Sequence, residues 1–146
     1  MKHLLTLLCL LLVHTAALSQ KSLAIDHLFG EKFRNNEKST ETIVTGDALK
    51  DSGLRVYRSL IITDSPETAD EIASAVSSDG QNATSREIKY IDGKIYYAQF
   101  ALAPKDNENR YIFYLNSHLK GGNSVMLVYM CGKASPDQIK KLLKQK

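Results

Sequence analysis

Four short segments rich in β-branched and aromatic residues, parted by tight turn signals, occupy residues 85–131 and confine the chain to a fold built on an antiparallel sheet. Ser85 to Ile91 reads as the first strand. Asp92-Gly93 follows, and a two-residue hairpin of that composition supplies the positive φ needed at both central positions. Lys94 to Ala103 returns, Pro104 to Asn109 is a polar loop, and Arg110 to Leu119 is the third strand. Lys120-Gly121-Gly122-Asn123 is another turn, and Ser124 to Cys131 is the fourth strand. Strands joined by tight turns are antiparallel neighbours.

The segment before this meander mixes helix and strand. Ser22 can cap a first helix whose Ile25, Leu28, Phe29 and Phe33 share one stripe. Arg34 to Lys38 is a polar connector. Thr40 to Thr45 forms a short strand broken at Gly46-Asp47, and Leu54 to Thr63 a stronger one. Ser65-Pro66-Glu67 starts a helix by cap, first-turn proline and dipole-matched acid. Its Ala69, Ile72, Ala73 and Val76 form a narrow stripe suited to close packing on a sheet, and Ser77 to Gly80 ends it. Ser135-Pro136-Asp137-Gln138 opens a last helix with a capping box, and Ile139, Leu142 and Leu143 face inward.

The expected order is α-β-β-α-β-β-β-β-α: an α+β domain with a sheet of about five to six strands and helices on one face. A strand followed by Ser-Pro-acid and a helix occurs twice. We read this as helix-start chemistry used twice rather than as an internal duplication.

The N-terminus reads as an export signal. Lys2 supplies a positive start, Leu4 to Val13 an apolar core, and Ala17-Leu18-Ser19 a small-residue cleavage site, which places the cut between Ser19 and Gln20. A membrane span needs roughly 20 apolar residues, and this run is interrupted by His14 and Thr15 at about half that length. Lipidation of Cys9 is rejected because Leu8 precedes it and the apolar core continues past it. Residues 1–19 are thus the signal and residues 20–146 one domain, exported to the periplasm or beyond, soluble and without a transmembrane segment after cleavage.

A mature chain of this length buries about two-thirds of its unfolded surface, enough for a core without staples. Loss of Lys2 leaves eighteen basic residues against sixteen acidic ones, too balanced to argue for a polyanion partner. Only Cys131 then remains, so no internal disulfide can form. Its place after Val125-Met126-Leu127-Val128-Tyr129-Met130 makes it a buried small hydrophobe rather than a catalytic thiol.

The residues show no catalytic or cofactor-binding constellation. His27 and His118 are the histidines left after cleavage, and no HExxH, paired CxxC or calcium-loop pattern accompanies them. Ser117 and His118, adjacent in a strand, would point to opposite faces, and no GxSxG elbow exists. Glu67, Asp70 and Glu71 read as the solvated start of a helix. Gly121-Gly122 precedes a strand, whereas a phosphate loop must feed a helix. We therefore expect no catalytic residue, no cofactor and no metal.

The tyrosines stand out instead. Tyr90, Tyr96, Tyr97, Tyr111, Tyr114 and Tyr129 all lie on the meander. Alternation sends Tyr96 and Tyr97 to opposite faces and separates Tyr111 from Tyr114. A face not covered by helices would present tyrosines with Lys89, Lys94 and Arg110 nearby, and tyrosine's apolar ring and polar tip suit a binding surface. Tyr96, Tyr97, Tyr111, Tyr114 and Tyr129 are the candidate partner-face residues, although tyrosine also simply fits a pleated sheet. Stacking of nucleic acid on such a sheet is set aside because the chain is expected to be exported.

In its helix opening Ile25-Asp26-His27-Leu28-Phe29, its late strand Val125 to Gly132 and its final helix Pro136 to Leu143, the chain resembles small exported proteins of unknown function from Bacteroidetes. The resemblance implies a Gram-negative envelope setting and carries over no functional residue. In a eukaryotic host Asn82-Ala83-Thr84 would be a glycosylation acceptor; in a bacterium it is a loop. The expected function is a non-catalytic envelope module that binds a protein or other ligand through the tyrosine-bearing face. The alternatives are an accessory of an envelope stress or signalling system, which rests on the resemblance alone, and a hydrolase with a dispersed site using His118 or His27.

Overall fold

A computed structural model describes residues 23–144 of the chain. The cleavage position between Ser19 and Gln20, the apolar run before it and the Ser22 cap lie outside these residues.

The order is a 3-10 turn at Ala24–Leu28, β1 (Ser39–Thr45), a 3-10 turn at Gly46–Ser52, β2 (Leu54–Thr63), α1 (Glu67–Gly80), β3 (Ser85–Ile91), β4 (Lys94–Lys105), β5 (Glu108–Asn116), a 3-10 turn at Ser117–Lys120, β6 (Ser124–Gly132) and α2 (Pro136–Lys144). The strands make one open six-stranded sheet in the order β1-β2-β6-β5-β4-β3, with every neighbouring pair antiparallel. The α+β class and the meander β3 to β6 agree with the sequence reading.

Local chemistry closes the hairpins. Asp92 and Gly93 have φ of 51° and 75°, as the tight turn requires. The next hairpin differs from expectation. The polar loop at residues 104–109 shrinks to Asp106-Asn107, with φ of 53° and 62°, and Lys105 pairs with Glu108 across it. Short polar side chains tolerate left-handed backbone, so Asp-Asn does here what Asp-Gly does one hairpin earlier.

The first helix is shorter than its stripe suggested. Only Ala24–Leu28 is helical, as a 3-10 turn, and Gly30 at φ 89° leads the chain away. The stripe is nonetheless buried, since Ile25, Leu28, Phe29 and Phe33 all enter the core. Asp79, near the end of α1, anchors this turn by accepting the N–H groups of Ala24 and Ile25 at 2.7 and 2.9 Å.

Ser65 does not cap α1 with its side chain; its hydroxyl donates to Glu67 at 2.8 Å. The capping box of α2 forms as expected. Ser135 N–H donates to the Gln138 side chain at 2.8 Å, and Gln138 N–H donates to the Ser135 hydroxyl at 3.3 Å.

The helices were expected on one face, and here the structure differs. The N-terminal turn and α1 cover the first face, meeting Leu60, Ile62, Phe100, Ile112, Tyr114, Val125 and Leu127. Ile139 of α2 packs instead with Leu54, Tyr111, Val128, Met130 and Ala134. By alternation along β5 and β6 these strand residues point the other way. The reason is room: α1 and the N-terminal turn already fill the first face, while β5 and β6 carry apolar side chains on both. The two helices that begin with Ser-Pro-acid thus sit on opposite faces.

Gly80 shows how tightly α1 sits. A Cβ added there would lie 2.5 Å from two atoms of the Phe100 ring. Overpacking of this kind costs about 1–3 kcal/mol, more than the up to about 1 kcal/mol that alanine adds in helix propensity. Gly80→Ala is therefore expected to lower Tm by about 2–8 °C in thermal unfolding.

Candidate functional site

The five candidate tyrosines divide into three that hold the fold and two that face outward. Tyr114 is 0% exposed on the first face, and its hydroxyl donates to the Ala69 carbonyl of α1 at 3.3 Å. Burial, aided by Asp70, pushes its pKa up to about 12. Tyr129 is half-buried against the same core, and burial, with Cys131 next in weight, pushes its pKa up to about 12. Tyr111 is buried on the second face and donates to the Ala134 carbonyl, just before α2, at 2.7 Å.

Tyr96 and Tyr97 remain, and the regular alternation expected for them is interrupted by a register shift. Lys89 pairs with Tyr97 while the next residue, Tyr90, pairs with Ile95, so Tyr96 is an extra residue in β4. Such a bulge absorbs one step of alternation. Ile95 and Ala98 both stay in the first-face core, Tyr97 lies on the second face with its cross-strand partner Leu115, and Tyr96 stands between as the unpaired residue. Tyr97 meets Phe113 edge to face at 5.4 Å between ring centroids, and its hydroxyl donates to Gln99 at 2.7 Å. Lys89 lies over the Tyr97 ring at 5.1 Å and Lys120 over the Tyr96 ring at 4.6 Å.

Among the described residues, the second face is only partly roofed. The row Tyr57, Met130, Tyr111, Ala101 runs across it beneath α2. Two rows further along lies Ile61, Met126, Leu115, Tyr97, each residue the cross-strand partner of the next. All four are partly buried, and Ile61, Leu115 and Tyr97 belong to neither core. Four strands at about 4.8 Å spacing make this row roughly 14 Å wide. Sequence reasoning found Tyr96 and Tyr97 but missed Ile61, Phe113, Leu115 and Met126. The signal was there in the second set of alternating apolar residues in β2, β5 and β6, but it reads equally as buried core.

Among the described residues, Arg55, Glu108 and Cys131 form one cluster of titratable groups. Arg55 holds Glu108 with Nε at 2.9 and 2.8 Å from the two carboxylate oxygens, and donates to the Cys131 sulfur at 3.4 Å. The arginine hydrogen bond holds the Glu108 carboxyl below the usual carboxylate range. Burial, reinforced by Glu108, pushes the Cys131 thiol up, so it stays protonated at neutral pH.

Ser117 and His118 lie in the 3-10 turn Ser117–Lys120 rather than at the end of a strand. The Ser117 hydroxyl is engaged at both ends, donating to the Ser124 carbonyl at 2.9 Å and accepting the Ser124 N–H at 3.0 Å. His118 Nε2 is buried without a hydrogen-bond partner among the described residues. His27 instead meets the Ala24 carbonyl through Nδ1. No group of three or more His, Cys, Asp or Glu that could hold a metal occurs among the described residues, and none of their helices is long and apolar enough to cross a membrane.

A model of a family of unknown function (DUF6108) matches residues 12–143, and the chain belongs to that family. No curated protein matches the chain. No solved structure matches it either.

The state of Cys131 can be read directly. In a chain starting at Gln20, alkylation by iodoacetamide at neutral pH is expected to be slow in the folded protein and complete in denaturant. Rapid stoichiometric labelling of the native protein would show an accessible thiolate and contradict this placement.

Proposed function

We propose that the chain is an exported, non-catalytic module that binds a protein partner through the unroofed part of its second sheet face. The carrying observation is the partly buried row Ile61, Met126, Leu115 and Tyr97, with Phe113 and Tyr96 beside it. Aromatic and methionine side chains are enriched in interface cores. The tyrosines contribute large rigid area at low entropic cost. Lys89 and Lys120, held over the tyrosine rings, give the patch a basic margin and favour a partner with an acidic rim around an apolar centre. Export rests on the N-terminal pattern: Lys2, the run Leu4 to Val13, and Ala17-Leu18-Ser19. The setting we favour is the envelope of a Gram-negative cell.

Leu115→Glu places a charge in the centre of the patch at a position outside both cores. Crosslinking in intact cells should recover the partner with wild type and about tenfold less of it with Leu115→Glu, while Tm is retained. Equal recovery from both proteins would remove this reading. Export is tested separately by N-terminal sequencing of the protein from its host. A chain beginning at Gln20 is expected, and an intact Met1 start would show that the signal is not cleaved there.

A further inference from the structure

The two edges of the sheet are defended unequally. β3 closes one side, and its seven residues include Arg86, Glu87 and Lys89. Charges on an edge strand discourage a further strand from adding. β1 closes the other side with the sequence Ser39-Thr40-Glu41-Thr42-Ile43-Val44-Thr45. It contains no lysine, arginine or proline. Its one charge, Glu41, is already used within the molecule: one carboxylate oxygen accepts the Gly30 N–H at 2.8 Å, and the other takes Nε and Nη2 of Arg58 at 3.1 and 3.0 Å. What remains toward solvent is a run of β-branched residues with high strand propensity. Ile43 is 59% exposed at its centre. Beside it on the first face lies a cleft of about 580 Å³, lined in part by Phe33, Arg34, Ile43 and Leu60.

We propose that β1 pairs antiparallel with β1 of a second copy of this chain, continuing the sheet across a two-fold axis at Thr42. Thr42 is the midpoint of the strand. In this register Ser39 lies opposite Thr45 of the copy, Thr40 opposite Val44, and Glu41 opposite Ile43. No like charges oppose each other anywhere along the seven residues, and the contact uses the full strand, roughly 23 Å. A two-fold axis perpendicular to the sheet preserves its faces. Ile43 of each copy therefore stays on the side of the cleft and is covered by the other, and the two clefts merge. This self-complementarity over the whole strand favours a second copy over an unrelated strand. The surface is separate from the second-face patch, so either can fail without the other.

The test uses the chain starting at Gln20. Light scattering after size exclusion should show a dimer that dissociates on dilution. Ile43→Lys should weaken it by about tenfold or more without lowering the Tm measured at concentrations where both proteins are monomeric, because Ile43 is not in the core. Central residues of an antiparallel pair lie about 4.5–5.5 Å apart at Cα, within disulfide range. Thr42→Cys should therefore yield a disulfide-linked dimer under mild oxidation, whereas Tyr90→Cys on the β3 edge should not. The buried Cys131 does not compete. A monomer at every concentration, or crosslinking at Thr42→Cys no greater than at Tyr90→Cys, would overturn the proposal. So would preferential capture of a foreign protein by Thr42→Cys, which would assign the edge to an unrelated strand.

Discussion

Burial of β6 on both faces is the constraint from which the rest of this architecture follows. Val125 and Leu127 enter one core while Val128 and Met130 enter the other. Its edges are taken by β2 and β5. Each such side chain stabilises the fold by about 1.5–3 kcal/mol only if water is kept from it. A sheet with one covered face could not do that. The chain meets the requirement with two helical layers of unequal size: the N-terminal turn with α1 on the first face, and the short α2 on the second.

Two tyrosines of β5, one pointing to each face, tie these layers down. Tyr114 donates to the Ala69 carbonyl in α1, and Tyr111 donates to the Ala134 carbonyl ahead of α2. A buried phenol without a partner would be costly, so each hydroxyl also selects where its helical layer sits. Asn109 adds a second donor to the Ala134 carbonyl at 3.1 Å, and the same carbonyl thus closes the end of the second-face core. The tyrosines that look alike along the meander therefore divide by role. Those near the middle of β5 and β6 are structural, while Tyr96 and Tyr97, at the bulge, lie outside both cores.

Among the described residues, Met130 and Tyr111 are buried with Ile139 of α2, Met126 packs at the margin of that core, and Leu115 belongs to neither core. The apolar row that this leaves is a direct product of unequal cover. The edges are equally unequal, with charges on β3 and almost none free on β1. The two proposed contacts rest on these two features, one on a face and one on an edge. Arg55, Glu108 and Cys131 are bonded to one another, and the Ser117 hydroxyl is engaged at both ends by Ser124.

The residues by themselves determined the strand-rich meander, the Asp92-Gly93 hairpin, the capping box at Ser135 and Gln138, and the burial of Cys131. Each depends on neighbours a few positions apart, or on a run apolar enough to read as buried. The placement of β2 beside β6 was decided only in the tertiary structure, since it joins segments far apart in the chain. So was the extra residue at Tyr96, which exists only relative to the register of β3. The stripe Ile139, Leu142 and Leu143 announced that α2 has a face to bury but not which side of the sheet would take it. That choice depended on which side the earlier elements had already filled. The candidate site lay in the same blind spot: Ile61, Leu115 and Met126 alternate as core residues do, and only tertiary packing decided that they stay partly exposed.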